Sequence, residues 1–104
     1  MSEKSTDYPI FNSILTTHSR MQIMTVLMVK KSVDIDTLSE ILEINKKDIS
    51  KQMEELKKCN YVQSAISNSK NRETIHWSIT ETGLKKFEQY VNALNSIVLY
   101  SDEF

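Results

Sequence analysis

Near Asn60 the hydrophobic period of this chain changes, and that change constrains the fold more than any other feature. Before it, apolar residues recur at helical spacing. After it, Tyr61, Val62, Ser64 and Ile66, and then Thr74, Ile75, Trp77 and Ile79, alternate in two short runs rich in β-branched and aromatic residues. From Leu84 onward the helical period returns. Two strands separated by the polar run from Ser67 to Arg72 read as one hairpin, with basic residues at its tip. The expected class is mainly α (α+β).

At 104 residues the chain has material for one modest core, taken as a single domain over residues 8–104 after a polar tail at 1–7 that is expected to be disordered. Ile10, Phe11, Ile14 and Leu15, with Pro9 at the first turn, predict a short helix that ends at the break from Thr16 to Ser19. Met21, Ile23, Met24, Val26, Leu27 and Met28 make the next helix apolar nearly all round, as a central core helix is. Its methionines read as flexible core filling rather than as a ligand pocket. After a break with β character at Val33 and Ile35, Asp36 is the expected cap of a helix of about two turns carrying Leu38, Ile41 and Leu42 on one face.

Ile44 and Asn45 form a tight turn. Asn45 is the N-cap of the following helix, with Asp48 three positions on in a variant of the capping box. That helix is expected to bury Ile49, Met53, Leu56 and Cys59. It leaves Lys47, Asp48, Ser50, Lys51, Glu54 and Lys58 outside. After the hairpin, Thr80 caps a helix over about 80–100. Its stripe of Leu84, Phe87, Tyr90, Val91, Leu94, Ile97 and Val98 is longer than a small domain can cover. Pairing with the same helix of a second chain is expected, through Phe87, Tyr90, Val91, Leu94, Ile97 and Val98.

The formal net charge is −1, which argues against a polyanion partner until its distribution is read. From Asn45 to Arg72 seven basic residues stand against three acidic ones, so this stretch carries +4 and the rest −5. A helix entering the DNA major groove must expose short polar and basic residues near its N-terminus, as Lys46, Lys47, Ser50 and Lys51 would be. Their ammonium groups would neutralise phosphates and release counterions.

In this order and spacing three segments resemble the small winged-helix transcriptional regulators of the ArsR and MarR types. They are Ser19-Arg-Met-Gln-Ile-Met-Thr-Val-Leu, the run from Leu38 through Tyr61-Val, and Trp77-Ser-Ile-Thr-Glu-Thr-Gly. The resemblance covers about 19–98. It implies a winged helix-turn-helix with a recognition helix at about 45–58, a hairpin wing at about 67–72 and a long C-terminal dimerisation helix. It further implies that Lys46, Lys47, Ser50 and Lys51 face the major groove and that Lys70 and Arg72 reach the minor groove or flanking backbone. Asn45 adds a phosphate contact through the helix terminus. Gln52 lies at the helix edge, with a less definite role. The implied function is a homodimeric regulator of double-stranded DNA, a repressor by default. A winged helix used only for protein contacts is the alternative, which the near-neutral net charge favours.

The chain departs from the family pattern in three places. Glu43 stands where the turn between the motif helices often has glycine. The wing has two basic residues, fewer than many relatives. The recognition helix lacks the cysteine pairs of metal-sensing members, so no metal is expected. His18 and His76 have no ligand-spaced partner. A single cysteine, Cys59, reads as a small hydrophobe. Gly83 is the only glycine, so no phosphate-binding loop exists, and no nucleophile motif is present. An enzyme is not expected, nor a cofactor. No apolar run approaches the ~20 residues of a membrane span, and none at the N-terminus has signal-peptide form, so a cytoplasmic protein is expected. No small-molecule effector is legible.

Overall fold

The computed structural model describes residues 14–15, 17–69 and 71–102; the side chains of Ser69 and of 97–102 lie outside the description. Three helices come first: α1 (His18–Lys30), α2 (Ile35–Leu42) and α3 (Lys46–Lys58). A hairpin of β1 (Val62–Ser69) and β2 (Arg72–Ile79) follows, and then the long α4 (Glu81–Asp102). This is the α+β winged-helix arrangement, C-terminal helix included. The polar tail and most of the helix expected at 10–15 fall outside the described residues. Ile14 and Leu15, which do not, form a turn rather than a helix, and Leu15 is fully buried.

One core joins the helices to the root of the hairpin. Ile23, Met24 and Leu27 of α1, Leu38 of α2, and Ile49, Met53 and Leu56 of α3 are all 0% exposed. Tyr61, Val62 and Trp77 close it from the hairpin side, and Phe87 from α4. Met24 and Met53 thus fill the core. Each such side chain contributes roughly 1.5–3 kcal/mol by leaving water. α1 is less completely enclosed than its composition implies, since Met28 and Val29 at its end are exposed.

Local chemistry sets the boundaries. Asp34, not Asp36, caps α2: its backbone is extended and its Oδ1 accepts the Thr37 N–H at 2.8 Å. Asp36 lies in the first turn, where a carboxylate still favours the helix dipole. Ile41 is exposed, so Leu38 and the half-buried Leu42 carry that face of α2. Glu43 adopts the left-handed conformation (φ 57°, ψ 41°) that glycine would take more easily, and its N–H donates to the Ser39 carbonyl at 2.8 Å. The Ser39 hydroxyl donates to the Ile44 carbonyl at 2.6 Å and closes the turn. Asn45 caps α3 as expected, its Oδ1 accepting the Asp48 N–H at 2.9 Å. Cys59, half-buried, is the C-cap of α3.

The hairpin is longer and its loop shorter than the sequence pattern predicts. Pairing runs from Val62↔Ile79 out to Ser69↔Arg72, leaving a two-residue connection that ends in Asn71. Asn71 has φ 64°, a conformation asparagine tolerates, so the ladder continues through residues whose polarity suggested a loop. Val33 adds a one-residue bridge to Trp77, with hydrogen bonds of 3.0 and 2.8 Å. Its β character is real, whereas Ile35 begins a helix. At the far root, the Thr80 hydroxyl accepts the Gly83 N–H at 2.9 Å and caps α4.

Candidate nucleic-acid interface

α3 owes its exposed polar face to the stripe it buries. Ile49, Met53 and Leu56 follow one another by about one turn and are consumed by the core, so residues on the opposite side must face solvent. Lys47 and Lys51, four apart, hold that position. Lys46, Ser50 and the cap Asn45 are exposed as well. The five residues expected to meet DNA on this helix therefore gather on its first two turns. Asp48 shares the first turn, where its side chain accepts a hydrogen bond from Asn45 Nδ2 at 3.3 Å.

The three lysines are not equivalent. Lys46 Nζ lies 3.2 Å from Asp36 Oδ1 of α2, in an ion pair whose side chains are 64% and 68% exposed. Lys47 and Lys51 make no ion pair among the described residues. Asp36 was not legible as a neighbour of the site, because the α2–α3 turn brings it there.

The two flanks of α3 are tied down. Gln52, half-buried, accepts a hydrogen bond from Arg20 Nε at 2.7 Å, and Arg20 also donates to the Ile14 carbonyl at 3.2 Å. Gln52 is thus engaged with α1. No local sequence signal announces a partner so far away in the chain. On the other flank, Lys57 Nζ donates to Ser64 Oγ at 3.3 Å and stands over the Trp77 ring.

Of the wing residues, Arg72 is exposed at the outer end of β2, opposite Ser69, and Lys70 lies outside the described residues. Arg72 borders a groove of about 280 Å³ that also includes Asp34, Asp36 and Glu73. The surface between wing and α2 is therefore acidic, in contrast to the N-terminal half of α3. Within it the Asp34 carboxyl is held below its ordinary value, chiefly by its hydrogen bonds with Thr37.

Along α4 burial fades. Phe87 is 9% exposed within this single chain, Tyr90 and Val91 are half-buried against the core, and Leu94 is 39% exposed. The side chains of Ile97 and Val98 are outside the description. A groove of about 410 Å³ runs between α4 and the end of α1, lined by Met28, Phe87, Glu88, Val91 and Asn92. Among the described residues no helix is long and apolar enough to cross a membrane. No cluster of three His, Cys, Asp or Glu side chains there is placed to hold a metal ion.

Solved structures share this architecture at low identity. A transcriptional regulator homologue from Pyrococcus horikoshii superimposes with a TM-score of 0.80 at 17% identity, covering 86% of this chain and 88% of that one. Diamide-treated YodB from B. subtilis gives 0.70 at 19%, over 88% and 86% of the two chains. A MarR variant from E. coli, complexed with operator DNA, gives 0.67 at 13% over 75% of this chain, which spans only 55% of the MarR chain. Identities this low carry the fold alone. No curated protein sequence matches. Residues 19–98, from the start of α1 far into α4, match the family model of the winged helix DNA-binding domain, and the chain belongs to that family.

Proposed function

We propose that this protein is a transcriptional regulator that binds specific sequences of double-stranded DNA as a homodimer and represses by occluding a promoter. The observation that carries the reading is the exposed basic start of α3, where Lys47 and Lys51 make no ion pair among the described residues, on a helix whose apolar face is already spent on the core. In this reading Lys46, Lys47, Ser50 and Lys51 enter the major groove, and Asn45 adds a phosphate contact at the helix terminus. Lys70 and Arg72 reach the minor groove or its flanks. Leu94, Ile97 and Val98 carry the dimer contact on α4, with Tyr90 and Val91 beside them. Phe87, buried at home, supports that surface more than it touches a partner. A dimer of this kind sets two α3 helices on half-sites about one helical turn apart. The working compartment is the cytoplasm.

The test is fluorescence anisotropy of the purified chain with a duplex from upstream of its own gene, against an unrelated duplex, across a salt series. Tighter binding to its own upstream DNA and a steep salt slope are expected. Replacing Lys47 and Lys51 by Ala should weaken binding and make the slope shallower by about 2. The acidic remainder of the chain favours the second reading, a winged helix that docks a protein. Absence of binding to either duplex at low salt would transfer the assignment there.

A further inference from the structure

Lys57 belongs by sequence to the basic stretch that suggests DNA binding, yet its side chain is directed elsewhere. It stands in the last turn of α3. Its Nζ donates to Ser64 Oγ at 3.3 Å and sits 5.7 Å from the centroid of the Trp77 ring. Ser64 and Trp77 face each other in the hairpin register. Trp77 is only 5% exposed and holds both hydrogen bonds of the bridge to Val33. Lys57 therefore lands on the root of the wing, where β1, β2 and Val33 meet. Two pairs further out, Ile66 and Ile75 are 64% and 48% exposed, so the hairpin leaves the core at this level.

We propose that Lys57 is a positioning residue for DNA binding, one that fixes the angle of the wing to α3 instead of neutralising a phosphate. The proposal rests on the DNA-binding reading above. Its physical basis is leverage. From Ser64 to the outer end of the hairpin is five residues of strand, roughly 17 Å at the usual rise. A rotation of about 10° at the root would displace the outer end by about 3 Å, a full hydrogen-bond length. A cation over an aromatic face and one hydrogen bond are each weak at an exposed site, so the effect on affinity should be modest. Arginine can replace both contacts, because its guanidinium stacks on aromatic rings and donates from several N–H groups.

The experiment compares the full chain with Lys57→Met and Lys57→Arg, using the duplex from upstream of its own gene across a salt series. Emission of the free proteins is recorded alongside, since Trp77 is the only tryptophan. Lys57→Met should weaken binding about two- to fivefold at every salt concentration, keep the wild-type salt slope and shift Trp77 emission; Lys57→Arg should restore affinity. A slope shallower by about one, the mark of a lost phosphate contact, would overturn the proposal, as would unchanged affinity or failure of arginine to restore it. Lys57→Gln repeats the comparison should methionine disturb folding, checked by the thermal midpoint. If the wild type binds no DNA, the DNA-binding reading fails instead, and an altered Trp77 emission in Lys57→Met would still place Lys57 on the wing root.

Discussion

α3 and α4 are both amphipathic helices with a regular apolar stripe, and they use it in opposite ways. In α3 the stripe of Ile49, Met53 and Leu56 is wholly consumed by the core, so the outer face is left polar and basic. In α4 the stripe is consumed only at its beginning, through Phe87, and is uncovered by Leu94. At 1.5 Å per residue α4 is about 33 Å long, more than the side of a small core can cover. In the reading proposed above, the completed stripe of α3 frees its other face for DNA, and the unfinished stripe of α4 is the one a second copy covers.

The sharpest way to break this comparison is to shave both stripes. Met53→Ala removes a fully buried side chain and leaves a cavity, so unfolding in denaturant should show a loss of about 2–5 kcal/mol. Leu94→Ala should cost under about 1 kcal/mol at protein concentrations where the chain is monomeric, with the larger penalty confined to concentrations where it self-associates. Equal losses at high dilution would mean that α4 is covered within the single chain, and the contrast would fail.

The roots of the two helices differ as well. Each has a side-chain cap, Asn45 for α3 and Thr80 for α4, and the Asn45 cap is replaceable at modest cost. α4 starts where Gly83 lies against the backbone of Tyr61, and a Cβ built on Gly83 would come within 2.1 Å of the Tyr61 carbonyl oxygen. That oxygen already accepts the Thr80 N–H at 3.0 Å and has little freedom to retreat. Gly83→Ala should therefore destabilise by about 1–3 kcal/mol, read as a lower denaturant midpoint, against about 1 kcal/mol for Asn45→Ala. A neutral Gly83→Ala would show that the α4 root yields.

Much of this was legible because period and capping chemistry are local. The stripe of α3, its Asn45 cap, the Thr80 cap and the two strands all follow from residues within a few positions of each other. What escaped was conformational or distant. Asp34 and Asp36 are both chemically able to cap α2, and only the extended backbone at Asp34 decides between them. Asn60 and Asn71 have positive φ, which asparagine tolerates; Glu43 and Lys31 have it too, and nothing in their chemistry says so. The exposed lysines of α3 could be read from the helical period. The pairing of Lys46 with Asp36, of Gln52 with Arg20 and of Lys57 with the hairpin depends on how elements meet in space.

The cap of α2 offers a pH test, because the group that accepts the Thr37 N–H is a titrating carboxylate where the cap of α3 is the neutral amide of Asn45. The Asp34 carboxyl lies below its ordinary value, held there first by its hydrogen bonds with Thr37 and also by attraction to His76. A depressed carboxyl contributes stability that is fully present above its unfolded value, about pH 4, and is lost as pH falls through the folded one. Asp34→Ala should cost about 1 kcal/mol near neutral pH, and the gap to wild type should narrow below about pH 4. A gap of the same size at pH 2.5 and pH 7 would show that the cap acts without its charge.

The smallest expected effect probes whether the polar face of α3 is as free as the comparison makes it. Lys46 spends part of its charge on Asp36; in the reading proposed above, DNA competes with that carboxylate and tolerates it near the phosphates. Both side chains are largely exposed, so the pair is worth only about 0.2–1 kcal/mol. Asp36→Asn releases Lys46 and removes a repulsive charge, so DNA binding at low salt should tighten by about twofold and the salt slope should steepen. Fold stability should change little, because Asp34 and not Asp36 caps the helix. Weaker binding would reverse the interpretation: Asp36 would then be aligning Lys46 for its phosphate, and the face of α3 would be built with help from α2 instead of standing free.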